Sequence, residues 1–454
     1  MRKTVHQQRR LVPCLVNHEH AVELEEIKRL LDAHLEAYEM VHADLVAGGI
    51  DPDCGRKGMS AEQVLGAAVI KQLEGYSYEE LAFHLVDSSS YRALCGFGLG
   101  DEVPSANTLQ RNVKRVRAET LESINRLLLV DAKKAGVEKG RTVRVDCTVE
   151  ETNIHEPTDS SLLYDIVRVI ARLLAQAKQG GYAVEFMNHT RRAKRRNLGA
   201  FNANNKRERR KAYRDLLKVS EATLDYALCA LPVLVEQPNA VVDIRGAQLG
   251  EGIALELERY LPLGRQVVAQ TRRRVFEGEQ VPASDKVVSI FEPHTDVIVK
   301  DRRETLFGHK LCLTTGRSGL VLDCIVLEGN PADSTLPVQV VERQRDIYHR
   351  PPRQVAFDGG FASRANLADL KELEVKDVAF SKRRGIAVSE MAKSTWVYKK
   401  LRRFRAGIEG GISFLKRCFG LGRCLWRGFA SFRAYTWAGV LSANLLMLAR
   451  HAMA

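Results

Sequence analysis

The 454-residue chain has no CxxC pair among its nine cysteines, which are scattered from Cys14 to Cys424 and odd in number. That pattern disfavours a zinc ribbon and a disulfide framework, and it fits the reduced thiols of a cytosolic protein. No stretch reaches 18 apolar residues, so no membrane span is expected. The apolar run from Ala434 to Ala449 is shorter and is broken by Ser442 and Asn444. The opening MRKTVHQQRRLVPCLVNHEH carries charge without a sustained apolar core, and it does not read as a signal peptide. Acids are also in short supply: 69 Lys and Arg face 56 Asp and Glu, a net charge of +13. Such an excess suits a polyanionic partner, most often nucleic acid, although a basic surface also serves solubility.

What is present suffices for two or three domains, since 45% of residues are hydrophobic. Residues 20–48 read as helical, with Val22, Ile27, Leu30, Leu31 and Leu35 on one side. A Gly-, Pro- and Asp-rich loop, GGIDPDCGRKG, follows. Ser60 with Gln63, and Ser77 with Glu80, have the spacing of capping boxes and open two helices. A third helical segment starts near Ser105 and runs through ANTLQRNVKRVRAETLESINRLLL, carrying Arg111, Lys114, Arg115 and Arg117. Three short helices with a basic last member suit a helix-turn-helix-like DNA-binding unit over residues 1–135. A helical packing domain with a solvated basic face fits them equally.

Glycines 136 and 140 then mark a hinge. RTVRVDCTVEETNI alternates Val143, Val145 and Cys147 against polar neighbours, the pattern of a β-strand with Asp146 inside it. An Asp among β-branched residues opposes strand propensity, and such conflicts mark functional positions, although a wet edge strand also tolerates one. His155, Glu150 and Glu151 lie near Asp146 and are candidates for supporting it, but a surface or hydrogen-bonded role suits each better. A helical, basic insertion is expected over about 158–285. Arg191, Arg192, Lys194, Arg195, Arg196, Lys206, Arg207, Arg209, Arg210 and Lys211 put ten cations into 21 residues, with Glu208 the only acid. Phe201 and Tyr213 interleave with them, as expected of a phosphate-binding surface.

From Val287 the period falls to two. VVSIF, DVIVKD, LFGHKLCLTT and GLVLDCIVLEG read as successive antiparallel strands, and Asp296 and Asp323 within them rival Asp146 as site acids. His309 is a candidate DNA contact. VQVVERQRDIY reads as a helix. QVAFDGGFAS is a short strand ending in Asp358 before two glycines, which exposes an acid at a strand tip. The stretch from Lys400 to Arg423, KLRRFRAGIEGGISFLKRCFGLGR, reads as a basic helix. Ile408, Ile412, Leu415 and Phe419 form its apolar stripe, and Arg405, Glu409 and Lys416 form a second row. Alone, that row is an i,i+4 ion pair on a solvated face. Gly407, Gly410 and Gly411 weaken the helix but admit close approach of a nucleic-acid backbone.

Asp146 in a strand, Asp358 at a strand tip and Glu409 on a later helix, in this order, resemble the DDE transposases of bacterial insertion sequences. Arg405, Glu409 and Lys416 are similar to that superfamily's Y-x2-R-x3-E-x6-K signature, with Arg402 at the Tyr position and Tyr398 one turn earlier. FDGGF at 357–361 resembles its second-acid motif, and GHK at 308–310 with GNPADS at 329–334 resembles its hairpin region. RVDCTVEETNIHEPTDSSLL resembles the first-acid segment of the ISNCY group, and GMSAEQVLGAAVIKQLEGYSYEELAFHL resembles the helices that precede the catalytic core there.

The resemblance implies an α/β fold, a ribonuclease-H-like mixed sheet over 141–450 interrupted by the helical insertion. It implies metal-dependent DNA cleavage and strand transfer at inverted-repeat ends. Asp146, Asp358 and Glu409 would be catalytic and would hold Mg2+ or Mn2+, with Asp146 bridging two ions. Arg405, Lys416, Arg191, Arg192, Arg195, Arg196, Arg209, Arg210, Lys114 and Arg115 would contact DNA. Double-stranded DNA, both element end and target, would be the partner of a homodimer in the bacterial cytoplasm. No Ser, Tyr or Cys nucleophile is implied. A ribonuclease-H-like nuclease without strand transfer and a non-catalytic DNA-binding protein are the competing readings.

Overall fold

A computed structural model describes residues 2–4, 18–49, 51, 54, 58–98, 100–236, 244–300 and 304–454. Cys14, most of the opening twenty residues and much of the GGIDPDCGRKG loop lie outside the described residues. In chain order the elements are α1 (Glu19–Asp32), α2 (Leu35–Val46), α3 (Ala61–Glu74), α4 (Tyr78–Asp87), α5 (Ser89–Cys95), α6 (Ala106–Val113), α7 (Ala118–Lys134) and β1 (Thr142–Thr152). Four helices follow, α8 (Asp159–Gln179), α9 (Thr190–Phe201), α10 (Lys206–Glu236) and α11 (Ile244–Arg272). The chain continues through β2 (Asp296–Lys300), β3 (Glu304–Thr315), β4 (Val321–Val326), α12 (Pro337–Tyr348), β5 (Gln354–Phe357), α13 (Arg364–Glu372) and β6 (Asp377–Phe380). It ends with α14 (Val388–Met391), α15 (Thr395–Cys418), β7 (Arg423–Cys424) and α16 (Phe429–Met453).

The chain divides into two compact units, one of residues 1–153 with 309–454 and one of residues 154–308. In the first, the sheet runs β4, β3, β1, β5, β6, with β3 and β4 antiparallel and β1, β5 and β6 parallel. A ribonuclease-H-like fold has this mixed arrangement. The helices of residues 19–134 share one apolar core with the sheet, including Leu65, Leu129, Val143, Leu313, Phe357 and Phe380. No packing boundary therefore falls between 135 and 141. Side-chain caps hold the helix starts: Ser60 with Gln63, and Ser77 with Glu80, are reciprocal capping boxes.

Polar clamps tie helices to strands in this unit. Asn444 on α16 donates to the Asn125 side chain at 2.7 Å and to the Val321 carbonyl at 2.7 Å, and accepts from the Val321 amide at 2.9 Å. Asp323, 1% exposed, is gripped twice by Arg343 at 2.6 Å, so it is a structural acid and no rival to Asp146. The helix expected to run on from Ser105 breaks after Val113. The cause is buried Asp44, which accepts the Arg117 amide at 2.9 Å and pairs with its guanidinium. The helix expected to reach Arg423 stops at Cys418. Gly420 then turns left-handed at φ 76°, and Arg423–Cys424 pair in parallel with Glu151–Thr152.

The second unit buries Leu163, Ile166, Ile170, Leu216, Leu257 and Val267 among α8 to α11. VVSIF is not a strand. Gln270 takes both backbone groups of Val287, its Oε1 accepting at 2.9 Å and its Nε2 donating at 3.1 Å. Val287, Val288 and Ile290 are buried, and Val287 and Ile290 belong to the helical core. Asp296 lies at the start of β2, which pairs antiparallel with Glu304–Gly308 of β3. Among the described residues no helix is long and apolar enough to cross a membrane, and the eight described cysteines form no disulfide.

Candidate active site

The register of the sheet brings two acids together. Val145 pairs with Phe357 across parallel strands β1 and β5, so Asp146 and Asp358 are the next positions on neighbouring strands. Strands lie about 4.8 Å apart, which keeps these carboxylates adjacent. The same logic extends to β6: Phe357 pairs with Phe380, and Ser381 comes next. Its hydroxyl donates to Asp358 Oδ1 at 2.7 Å.

The third acid arrives from α15, which packs across β1, β5 and β6. Ile408 and Leu415 are buried on its inner stripe. Arg144, two positions before Asp146, fixes this helix by donating to the Phe404 carbonyl at 3.0 Å and to the Thr315 hydroxyl at 2.8 Å. A Cβ at Gly407 would collide with the Arg144 guanidinium, so this glycine serves helix docking rather than DNA clearance. Gly410 and Gly411 do face open space. Tyr398, one turn before Arg402, is buried and donates to the Phe380 carbonyl at 2.8 Å, anchoring the helix start over β6.

Arg405 joins the three acids. Its Nη2 lies 2.6 Å from Asp146 Oδ2 and 3.4 Å from Asp358 Oδ1, and its Nη1 lies 2.8 Å from Glu409 Oε1. Asp146 is 15% exposed and Glu409 68%, so the cluster runs from the sheet to solvent. Among the described residues no three His, Cys, Asp or Glu side chains are grouped closely enough to enclose a metal directly. The acids converge instead on a guanidinium, whose buried Nε has no partner.

Electrostatics separate the two sheet acids. Burial pushes the Asp146 carboxyl up to about 6; Arg405 opposes this, and the neighbouring charge of Asp358 adds to it. Burial acts on Asp358 in the same direction, but the Ser381 hydroxyl, the Gly359 amide and the charges of Arg405 and Lys382 outweigh it and hold the carboxyl below its ordinary value. An all-oxygen donor set with one reluctantly ionised member fits a hard divalent cation, which would relieve the mutual repulsion now relieved by Arg405.

Most of the remaining candidates have other partners. Glu150 is buried, accepts from Thr436 at 2.7 Å, and is pushed up to about 8 by burial. Lys416 is close enough to lower that carboxyl. Glu151 pairs with Arg423, and His155 with Asp165 at 2.8 Å. His309 is buried between Phe429 and Phe432 and cannot reach DNA. Lys310 ties down the 329–334 loop through the Pro331 carbonyl at 2.7 Å and Asp333 at 3.0 Å. Arg115 donates to the Leu45 carbonyl at 3.1 Å, and the Lys114 ammonium lies 5.9 Å from the Trp426 ring. In the helical unit Arg191, Arg195 and Arg209 are exposed. Arg192 and Arg196 both pair with Asp215, and Arg210 donates to the Phe276 carbonyl at 2.9 Å. Sequence reasoning missed Ser381 and Arg144. Their signal was positional, one residue past a strand and two residues before the first acid.

Residues 297–445 match the transposase DDE domain, and residues 13–115 match the transposase domain DUF772. The chain belongs to the DDE-type insertion-sequence transposases. The matched DDE region contains Asp358, Arg405, Glu409 and Lys416, whereas Asp146 lies outside it. This transposase is also 28% identical over 157 residues to the uncharacterized protein ORF8 in the nfe locus of Rhizobium meliloti, covering 34% of this chain and 74% of that one. No solved structure matches the chain.

Proposed function

We propose that this transposase binds the inverted-repeat ends of its element and catalyses metal-dependent cleavage followed by strand transfer. The observation that carries this reading is the single guanidinium of Arg405 gripping Asp146, Asp358 and Glu409 at once. Three acids from a strand, a strand tip and a helix, held around one positive charge, form a site for cations and for the phosphates that accompany them.

Asp146, Asp358 and Glu409 would hold Mg2+ or Mn2+. Divalent ions there supply charge for the developing oxyanions of phosphodiester cleavage and make water a better nucleophile. Ser381 keeps Asp358 oriented and ionised. Arg405, released from the acids, turns to phosphate as a bidentate donor. Gly410 and Gly411 leave room for the strand beside Glu409. Arg191, Arg195 and Arg209 present charge to DNA flanking the cut, and a homodimer would hold two ends together. Water attack frees a 3′-OH, which then attacks target DNA.

The test is a joining assay with purified protein, the DNA flanking its own gene and a supercoiled target. Joined products in Mg2+ that vanish with EDTA support the reading. Cutting without joining indicates a nuclease, and binding without either indicates a DNA-binding protein.

A further inference from the structure

Among the described residues, the most exposed large apolar side chain stands at the most basic point of the helical unit. Phe201 ends α9 and is 73% exposed, and Leu198, one turn earlier, is 52% exposed. At 100° per residue both share a face with Arg191, Lys194 and Arg195, which are exposed as well. Ala193 and Ala200 are buried on the opposite side. After a turn over residues 202–205, α10 opens with exposed Lys206, Arg207 and Arg209.

This tip is braced. Arg192 and Arg196 of α9 both pair with Asp215 of α10, and the Asn205 side chain accepts the Glu208 amide at 2.9 Å, capping α10. Tyr213 lies in the helical core, so of the two aromatics among the cations only Phe201 is presented outward. The result is an apolar point held on a cationic surface.

A second copy of the chain suits this point poorly. Self-complementary contact would set the cations of one tip against those of the other, and residues 190–211 hold ten cations with Glu208 as the only acid. Duplex DNA suits both parts. Its phosphates take the cations, and an apolar side chain pushed between base pairs leaves water while partly unstacking them. We propose that the α9–α10 tip is a DNA wedge: Phe201 enters a base step, Leu198 follows it into the groove, and Arg191, Arg195 and Arg209 hold the flanking phosphates. The inference rests on the DNA binding proposed above and adds a kink, about 20–90° for wedges of this kind, where the helical unit grips the duplex.

The experiment uses the full chain, wild type beside Phe201→Ala and Arg195→Gln, with duplex DNA from the flank of its own gene. All binding is measured in EDTA, so no readout depends on cleavage. End-to-end fluorescence transfer reports the bend at saturating protein, permanganate reactivity reports unstacked thymines, and affinity is followed across a salt series. Wild type should shorten the end-to-end distance and expose reactive thymines at one position. Phe201→Ala should lose both signals and keep the salt slope, whereas Arg195→Gln should keep both signals and lose about 0.9 of the slope. Phe201 is exposed, so its variant should melt with wild type. A bend and a permanganate pattern unaltered by Phe201→Ala overturn the proposal, as does a wild type that leaves the duplex straight or unbound. A DNA-free dimer that Phe201→Ala splits into monomers also overturns it, assigning the tip to a second copy. Joining in Mg2+ is scored separately. A wedge signature without joining counts against strand transfer alone, and joining with signals indifferent to Phe201→Ala counts against the wedge alone.

Discussion

Replacing Asp146 with Asn removes one oxygen's charge from the centre of the site and changes stability and activity in opposite directions. In the folded protein the carboxyl is raised from 3.8 to about 6, chiefly by burial. A difference of about two units corresponds to about 3 kcal/mol, at about 1.4 kcal/mol per unit. Because the folded value lies above the unfolded one, ionised Asp146 weighs against folding. Its contribution is favourable only in acid and is lost as pH rises through about 6. The neutral amide of Asp146→Asn escapes this cost but gives up part of the Arg405 contact, so a gain of about 1–3 kcal/mol is expected at pH 8. The margin should shrink on acidification through about 6 and disappear below about 4, where both states are protonated. Urea unfolding of wild type and variant at pH 8, 6 and 4 reads this directly. A variant less stable than wild type at pH 8, or a margin that grows toward acid, would refute the electrostatic reasoning.

Two other substitutions probe neighbouring features. Nothing lies within 4 Å of a Cβ added at Gly411, so Gly411→Ala should stabilise α15 by about 0.5–1 kcal/mol, as seen in thermal melts. Gly411→Leu should stay folded yet cut DNA poorly, and wild-type cutting would show that no strand passes there. Asp323→Ala leaves the Arg343 guanidinium without its main partner and should cost about 3–5 kcal/mol in urea unfolding. Cleavage per folded molecule should be unchanged, and a selective loss of cleavage would restore Asp323 as a site acid.

Much of this architecture was legible because strong local signals and tertiary demands agreed. The Val143-Val145-Cys147 alternation specified β1, and the acid within it proved to sit beside Asp358 in register. Ser60 and Ser77 announced helices through caps made within a few residues. Failures occurred where a distant group supplied the backbone's partners. Gln270 satisfies Val287 in place of a neighbouring strand, so period-two alternation there reflects burial in a helical core. Asp44 breaks the helix before Arg117 from 73 residues away. His309 carries a polar ring that sequence could assign to DNA, yet Phe429 and Phe432 bury it. The row of Arg405 and Glu409 was visible on a helical wheel, but its closure onto Asp146 and Asp358 required the fold.

The central claim is that Asp146, Asp358 and Glu409 act together at one cation-dependent centre. The most direct measurement is Mg2+-dependent cleavage of the element ends by wild type and by Asp146→Asn, Asp358→Asn and Glu409→Gln, with end binding measured in parallel. The account predicts that each variant still binds the ends and that none cuts. Wild-type cutting by any one of the three folded variants would contradict it.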